Sequence, residues 1–204
     1  MLDNKTILIT GGTGSFGKCF TKYVLAHYNP RKIIIYSRDE FKQFIMQNEF
    51  KEYESKMRYF IGDVRDKDRL RRAFEGVDYV IHAAALKQVP ACEYNPNEAI
   101  RTNINGAQNV IDAALDTNVK RVVALSTDKA VNPTSVMGAS KRLCEMILQS
   151  MKGHSGTDFI AVRFGNVLGS NGSVVPLFQR QIAAGGPVTV TDKRIIRYFM
   201  TIQE

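Results

Sequence analysis

Residues 6–17 read Thr6-Ile7-Leu8-Ile9-Thr10-Gly11-Gly12-Thr13-Gly14-Ser15-Phe16-Gly17, or TILITGGTGSFG. A short β-branched, aliphatic run meets glycines at 11, 14 and 17, and a helical pattern follows to residue 27. Glycine there permits a tight turn, lets backbone approach a pyrophosphate at a helix N-terminus, and allows the helix to pack closely on the sheet. A glycine triplet alone is weak, but a strand before it, a helix after it and a second strand, 32–36, ending about 20 residues on make a dinucleotide-binding loop. Gly11, Thr13, Gly14, Ser15, Phe16 and Gly17 are its candidate cofactor contacts.

Further strand candidates lie at 57–61, 79–82, 122–125 and 159–164, and helical patterns cover 17–27, 38–50, 66–74, 97–117 and 135–150. Helices long enough for crossovers between successive strands predict an α/β fold, a doubly wound parallel sheet of Rossmann type. After Asn166 the texture changes: Gly169, Gly172, Pro176, Gly185, Gly186 and Pro187 punctuate short segments. The expected organisation is a dinucleotide-binding domain over 1–165 and, over 166–204, the start of a small substrate lobe that reads as cut short.

The chain has 204 residues, 44% of them hydrophobic, which suits one α/β domain with a proper core. A formal charge of +8 admits nucleic acid, an acidic surface or a small polyanion as partner. The positive charge is spread over predicted helices, as on a solvated surface, and no recognition motif or basic-aromatic interleaving points to nucleic acid. Cys19, Cys92 and Cys144 are too few and too scattered for a metal site or a disulfide framework, so a reducing cytoplasm is expected. Residues 1–5 lead straight into the first strand, leaving no room for a signal segment, and no apolar run approaches a membrane span.

In a doubly wound sheet, ligands lie outside the carboxyl ends of the strands. The second strand ends Tyr36-Ser37-Arg38-Asp39, where an acid favours a free ribose 2'-hydroxyl and an arginine a 2'-phosphate. Ser37, Arg38 and Lys42 form a phosphate-matched set and favour NADP over NAD; in the other reading Arg38 is solvated and Asp39 holds the ribose or caps a helix. Asp63 and Val64 follow the third strand, with Asp63 suited to the adenine amino group. Ala83, Ala84 and Ala85 follow the fourth, small enough for a dinucleotide to approach, with Lys87 next as a substrate contact. His82 reads as a packed strand-end histidine rather than a catalyst.

Residues 126–141 read STDKAVNPTSVMGASK, between the fifth strand and a helix. Asp128 and Lys129 offer an acid and a base, provided the backbone turns so that neighbours share a face; Asn132-Pro133 makes such a turn credible. Lys141 lies one helical turn after Met137, on the same face.

With TGGTGSFG, YSRDE, GDVRD, HAAALKQVP, Thr102-Asn103, STDKAVNP, Lys141 and RFGNVLGSNGSVVP in order, the sequence resembles the extended short-chain dehydrogenase/reductase superfamily. Within it, the match is to inverting UDP-N-acetylglucosamine 4,6-dehydratases of bacterial surface-polysaccharide biosynthesis. The resemblance implies oxidation of the sugar at carbon 4 by bound NADP, elimination of the carbon 6 hydroxyl, return of the hydride to carbon 6, and inversion at carbon 5. It implies Lys129 as base at carbon 5, Asp128 as acid at carbon 6, Thr127 as a hydrogen bond to substrate and Lys141 as anchor of the nicotinamide ribose. It places Asn166 near the substrate diphosphate, Ser173 and Val174 in a nucleotide-following loop, and Thr191 and Arg197 near UDP. It also suggests a homo-oligomer.

The superfamily carries tyrosine where this chain has Met137, and a thioether cannot accept a hydroxyl proton. Asp128, then Lys129, are the substitutes on offer. Two other functions stay open: a UDP-sugar 4-epimerase, which needs no acid-base pair at carbons 5 and 6, and a non-catalytic NADP-binding sensor, which Met137 would suit.

Overall fold

The structure is a computed structural model and describes residues 1–153, 156–170 and 172–204. Asn171, inside the motif RFGNVLGSNGSVVP, lies outside the described residues. The chain divides into two units, Met1–Arg163 and Phe164–Glu204.

The first unit is built on strands β1 (Thr6–Thr10), β2 (Lys32–Ser37), β3 (Met57–Ile61), β4 (Tyr79–His82), β5 (Arg121–Thr127) and β6 (Asp158–Phe164). They lie in the order β3-β2-β1-β4-β5-β6, and the pairings of β1 with β2 and β4, β2 with β3, and β4 with β5 are parallel. The chain winds outward one way from β1 through β2 and β3, then returns to the other side of β1 for β4. That reversal opens a crevice at the carboxyl ends of β1 and β4, where doubly wound sheets take ligands.

Side-chain alternation along β1 and β2 explains why both sheet faces are covered. Leu8 and Ile34 point into one cluster with Leu70 and Phe74 of α3 (Lys67–Phe74) and Val110 of α6 (Gly106–Asp116). Ile7, Ile9, Ile33 and Ile35 point the other way, onto Val24 of α1 (Ser15–His27) and Met46 of α2 (Glu40–Glu49). Each of these fully buried side chains contributes roughly 1.5–3 kcal/mol over its exposed state.

The predicted single helix over 97–117 is instead three pieces. A short α5 (Pro96–Ala99) runs into a π-helical turn, Ile100–Asn105, before α6. The wider turn shifts the phase of the helix and buries both Thr102 and Asn103. A short helix α4 (Val89–Tyr94), which no periodicity announced, begins after Gln88 with Pro90 in its first turn. The long α7 (Val136–Ser150) opens on a Ser135 cap that accepts from the Gly138 N–H at 3.1 Å.

The second unit holds β7 (Asn166–Val167), paired in parallel with β8 (Phe199–Met200), and the helix α8 (Val174–Ala183). Among the described residues, no helix is long and apolar enough to cross a membrane.

Candidate functional site

Parallel pairing brings the predicted contacts of β1, β2, β4 and β5 to one edge of the sheet. The glycine loop is held there by its own geometry. Gly11 has φ of +65°, and a Cβ on it would stand 2.9 Å from the Ala84 Cα and N. A Cβ on Gly17 would stand 2.2 Å from the Gly12 carbonyl oxygen, so only glycine lets α1 start this close to the loop. Among the described residues Gly14 gives helix α1 no side-chain cap, and the first turn carries no acidic residue to oppose an anion there.

Thr13 and Ser37 meet through their hydroxyls at 3.1 Å, both buried, tying the loop to the end of β2. Arg38 is exposed and its guanidinium reaches Asp63 at 3.5 Å. Asp39 caps α2 by accepting from the Lys42 N–H at 2.9 Å, and its carboxylate also pairs with the Lys42 ammonium at 2.8 Å. The structure thus joins Ser37 to the loop and leaves Arg38 at the rim, but gives the Lys42 charge to Asp39. Asp63 is gripped by Arg65 at 2.8 Å; burial pushes its pKa up, but the Arg65 hydrogen bonds and charge hold it below the usual carboxylate range. Val64 packs its side chain into the core and presents only backbone, its carbonyl accepting from Asn109 at 3.0 Å.

On the β4 side, Ala83, Ala84 and Ala85 are half-buried and Lys87 is exposed. The Thr10 hydroxyl oxygen accepts from the Ala84 N–H at 3.2 Å and lies 2.8 Å from His82 Nδ1. Burial, with the nearby Lys141 charge, pulls the His82 pKa to about 3, so its imidazole is neutral and structural.

The backbone does turn after β5. Thr127 ends the strand, Asp128–Ala130 form a 3-10 turn, and the Thr127 hydroxyl oxygen accepts from the Lys129 N–H at 3.4 Å. Within this turn the Thr127 hydroxyl and the Lys129 ammonium both donate to Asp128 Oδ1, each at 2.9 Å. Burial raises the Asp128 pKa, but those two hydrogen bonds and the Lys129 charge outweigh it and hold the group in the carboxylate form. A carboxylate so held is ionised and has no proton of its own to give. Helix α7 packs directly on this turn: a Cβ on Gly138 would stand 2.5 Å from the Lys129 carbonyl oxygen.

Met137 is buried with Cys92 and Ala99, flanked by Leu86 and Val89, in a small apolar cluster between α4, α5 and α7. The tyrosine position of the superfamily is therefore core here. Lys141 is also buried, 6% exposed, and among the described residues its ammonium has no hydrogen-bond or ion-pair partner. Burial lowers its pKa, opposed by Cys144 and Glu145. A largely buried lysine whose ammonium has no acceptor among the described residues, at the same sheet edge as a glycine cradle that a Cβ would fill, fits a dinucleotide whose ribose hydroxyls accept and whose phosphates meet α1.

Two buried groups without a role in the sequence reading organise this edge. Asn103 accepts from the Leu86 N–H at 2.8 Å and donates to the Leu86 carbonyl at 3.0 Å and to Ser140 Oγ at 2.9 Å, so one amide ties the β4 loop to α7. Glu145 accepts from Ser126 Oγ at 2.6 Å, from Arg163 Nε and Nη2 at 2.8 and 2.7 Å, and from Arg142 at 3.1 Å. The signal for Glu145 was its spacing, one helical turn after Lys141.

The remaining predicted residues lie in the second unit. Asn166 sits in β7 and is half-buried, Ser173 precedes α8 with Val174 its first residue, and Thr191 and Arg197 are exposed. Among the described residues the Ser173 hydroxyl is buried without a hydrogen-bond partner, and the Arg197 guanidinium donates to the Ile196 carbonyl at 3.0 Å.

Comparison with known proteins places this arrangement. The chain is 53% identical, over its whole length, to a UDP-N-acetylglucosamine 4,6-dehydratase (inverting) of Campylobacter jejuni. It is 45% identical over 99% of its length to a protein of Rickettsia typhi named UDP-glucose 4-epimerase. It spans 62% and 60% of those two relatives. Among solved structures, Pen from Bacillus thuringiensis superposes with a TM-score of 0.96 at 47% identity, over 99% of this chain and 65% of that one. The resemblance read from the motifs is borne out at the level of the family. A family model described as polysaccharide biosynthesis protein matches residues 7–204, and the chain belongs to that family.

Proposed function

We propose that the protein to which this chain belongs is an inverting UDP-N-acetylglucosamine 4,6-dehydratase that keeps its nicotinamide cofactor through each cycle. The observation that carries the reading is the Thr127–Asp128–Lys129 turn, which puts a carboxylate and an amine on one hydrogen-bonded unit at the sheet's ligand edge. The 53% identity to the Campylobacter dehydratase supports it.

A bound nicotinamide dinucleotide supplies hydride removal from carbon 4 and hydride return to carbon 6. Gly11, Gly14, Gly17 and the start of α1 hold its pyrophosphate, with Thr13, Ser15 and Phe16 alongside. Lys141 donates to its ribose, and Ala83–Ala85 leave room for its approach. Arg38 at the rim, with Ser37 behind it, favours NADP over NAD. Asp128, as carboxylate, takes the carbon 4 hydroxyl proton, the task that buried Met137 cannot perform. Lys129, whose ammonium donates to Asp128 in the structure, acts as base at carbon 5 once it has released a proton to solvent, and takes the hydrogen that the carbon 4 ketone has acidified. Asp128 then gives its acquired proton to the departing carbon 6 oxygen, which leaves as water; as hydride returns to carbon 6, a proton from solvent reaches carbon 5 on the opposite face, and Lys129 releases the proton it took. This order starts from the carboxylate that the turn stabilises. Lys87, Asn166, Ser173, Val174, Thr191 and Arg197 remain the proposed sugar-nucleotide contacts.

The three cysteines are free thiols, which supports a reducing, cytoplasmic setting. The family resemblance adds a homo-oligomer. The test is incubation of the full-length protein with UDP-N-acetylglucosamine, followed by NMR. A 4-keto-6-deoxy product supports the dehydratase. A product epimeric at carbon 4 supports the second reading, a UDP-sugar 4-epimerase, which the name of the Rickettsia relative favours.

A further inference from the structure

We propose a second ligand site in the first unit, a basic cleft at the edge of the sheet opposite the glycine loop, that takes a small anion bearing one or two phosphate groups. Thr6 and Lys32 are the first residues of β1 and β2, and Arg58 is the second of β3, so the cleft they line lies where the strands begin. The glycine loop lies where β1 ends, a strand length of about 13 Å away.

The cleft is open to solvent and offers about 330 Å³, with Ile34 and Phe60 in its lining. Four cations line it, Arg31, Lys32, Arg58 and Arg72, against one carboxylate, Glu75, leaving a formal +3. Arg31 is fixed in place: Nε donates to Thr6 Oγ1 at 2.9 Å and Nη2 to the Gly76 carbonyl at 3.2 Å. The second bond also offsets the negative end of the α3 dipole. Lys32 donates to the Ser55 carbonyl. Arg58 and Arg72 have no hydrogen bond or ion pair among the described residues, and Glu75 pairs with none of the four.

Some other surface cations of this unit find carboxylates, Lys18 with Glu49, Lys67 with Asp112, Lys120 with Asp78 and Arg121 with Asp158, while Lys22, Lys51 and Arg71 have none among the described residues; what sets the cleft apart is four cations lining one concavity. Two exposed guanidiniums without a partner among the described residues, beside a third already immobilised, leave donors in one concavity for an anion to meet. Guanidinium forks match phosphate oxygens in pairs, and the cleft is at the lower end of small-molecule site volumes. That sets the ligand class: a compact phosphate or diphosphate with a small apolar portion.

The test is a pyrophosphate titration of the full chain, read by amide NMR at two places: Arg58, Ala73 and Gly76 at the cleft, and Gly11, Gly14 and Gly17 at the loop. We expect saturable shifts at the cleft amides. An Arg58→Ala/Arg72→Ala double variant should weaken that response about tenfold or more while the loop amides respond as before. Both arginines are exposed, and an otherwise unchanged spectrum checks that the variant is folded. Shifts confined to the loop, a linear and unsaturating response at the cleft, or an affinity within twofold in the double variant would each overturn the proposal.

Discussion

Replacing Glu145 by glutamine removes the single charge on which Ser126, Arg142 and Arg163 converge. Its side chain is 3% exposed, so water does little to screen the exchange. The Arg163 hydrogen bonds, with help from Ser126 and Arg142, overcome the burial penalty and hold the pKa at about 2, against 4.5 for an ordinary glutamate. That difference corresponds to about 3 kcal/mol of folding free energy at neutral pH. The sign follows from the depressed value. The contribution is complete above pH about 4.5, where the unfolded carboxyl is ionised, and fades as pH falls through the folded value toward 2. Urea unfolding of parent and Glu145→Gln, followed by circular dichroism at pH 7, 5 and 3, should show a gap of about 3 kcal/mol at the first two and a smaller one at the third. A variant as stable as the parent at pH 7, or a gap that is the same at pH 3, would refute this account of the network.

Gly17→Ala forces a Cβ to 2.2 Å from backbone, and isothermal titration should show dinucleotide affinity falling by roughly tenfold or more. Met137→Tyr asks the α4–α5–α7 cluster to take a larger ring, so chemical denaturation should show a loss of about 1–3 kcal/mol, with no gain of turnover. Asn103→Ala strips the partners from both backbone groups of Leu86. Hydrogen exchange at the Leu86 amide should then accelerate, and stability should fall by about 1–3 kcal/mol. Arg38→Ala should narrow the preference for NADP over NAD; affinities unchanged in ratio would remove Arg38 from the specificity argument.

The glycine loop was legible because its function constrains backbone: positive φ at Gly11 and the contact at Gly17 exclude other residues, and glycine is visible in sequence. The strand ends were legible because parallel winding puts them on one edge whatever their side chains. The β5 turn was legible from Asn132-Pro133, but not its details, with both donors on Asp128 Oδ1 and α7 seated on the Lys129 carbonyl through Gly138. Other features depend on tertiary phase. The π-helical turn that aims Asn103 inward has no composition of its own, and α4 is too short for periodicity to show. Lys42 looked available for phosphate, yet it sits three residues after Asp39, where a helix start brings cap and cation together.

The division of labour between Asp128 and Lys129 is tested most directly by deuterium incorporation at carbon 5 of UDP-N-acetylglucosamine in heavy water. The measurement uses full-length parent, Lys129→Ala and Asp128→Asn proteins that retain cofactor. Lys129→Ala should lose carbon 5 exchange, and Asp128→Asn should be impaired earlier, in hydride transfer from carbon 4. Carbon 5 exchange at the parent rate in Lys129→Ala, or hydride transfer intact in Asp128→Asn, would contradict the roles assigned to this turn.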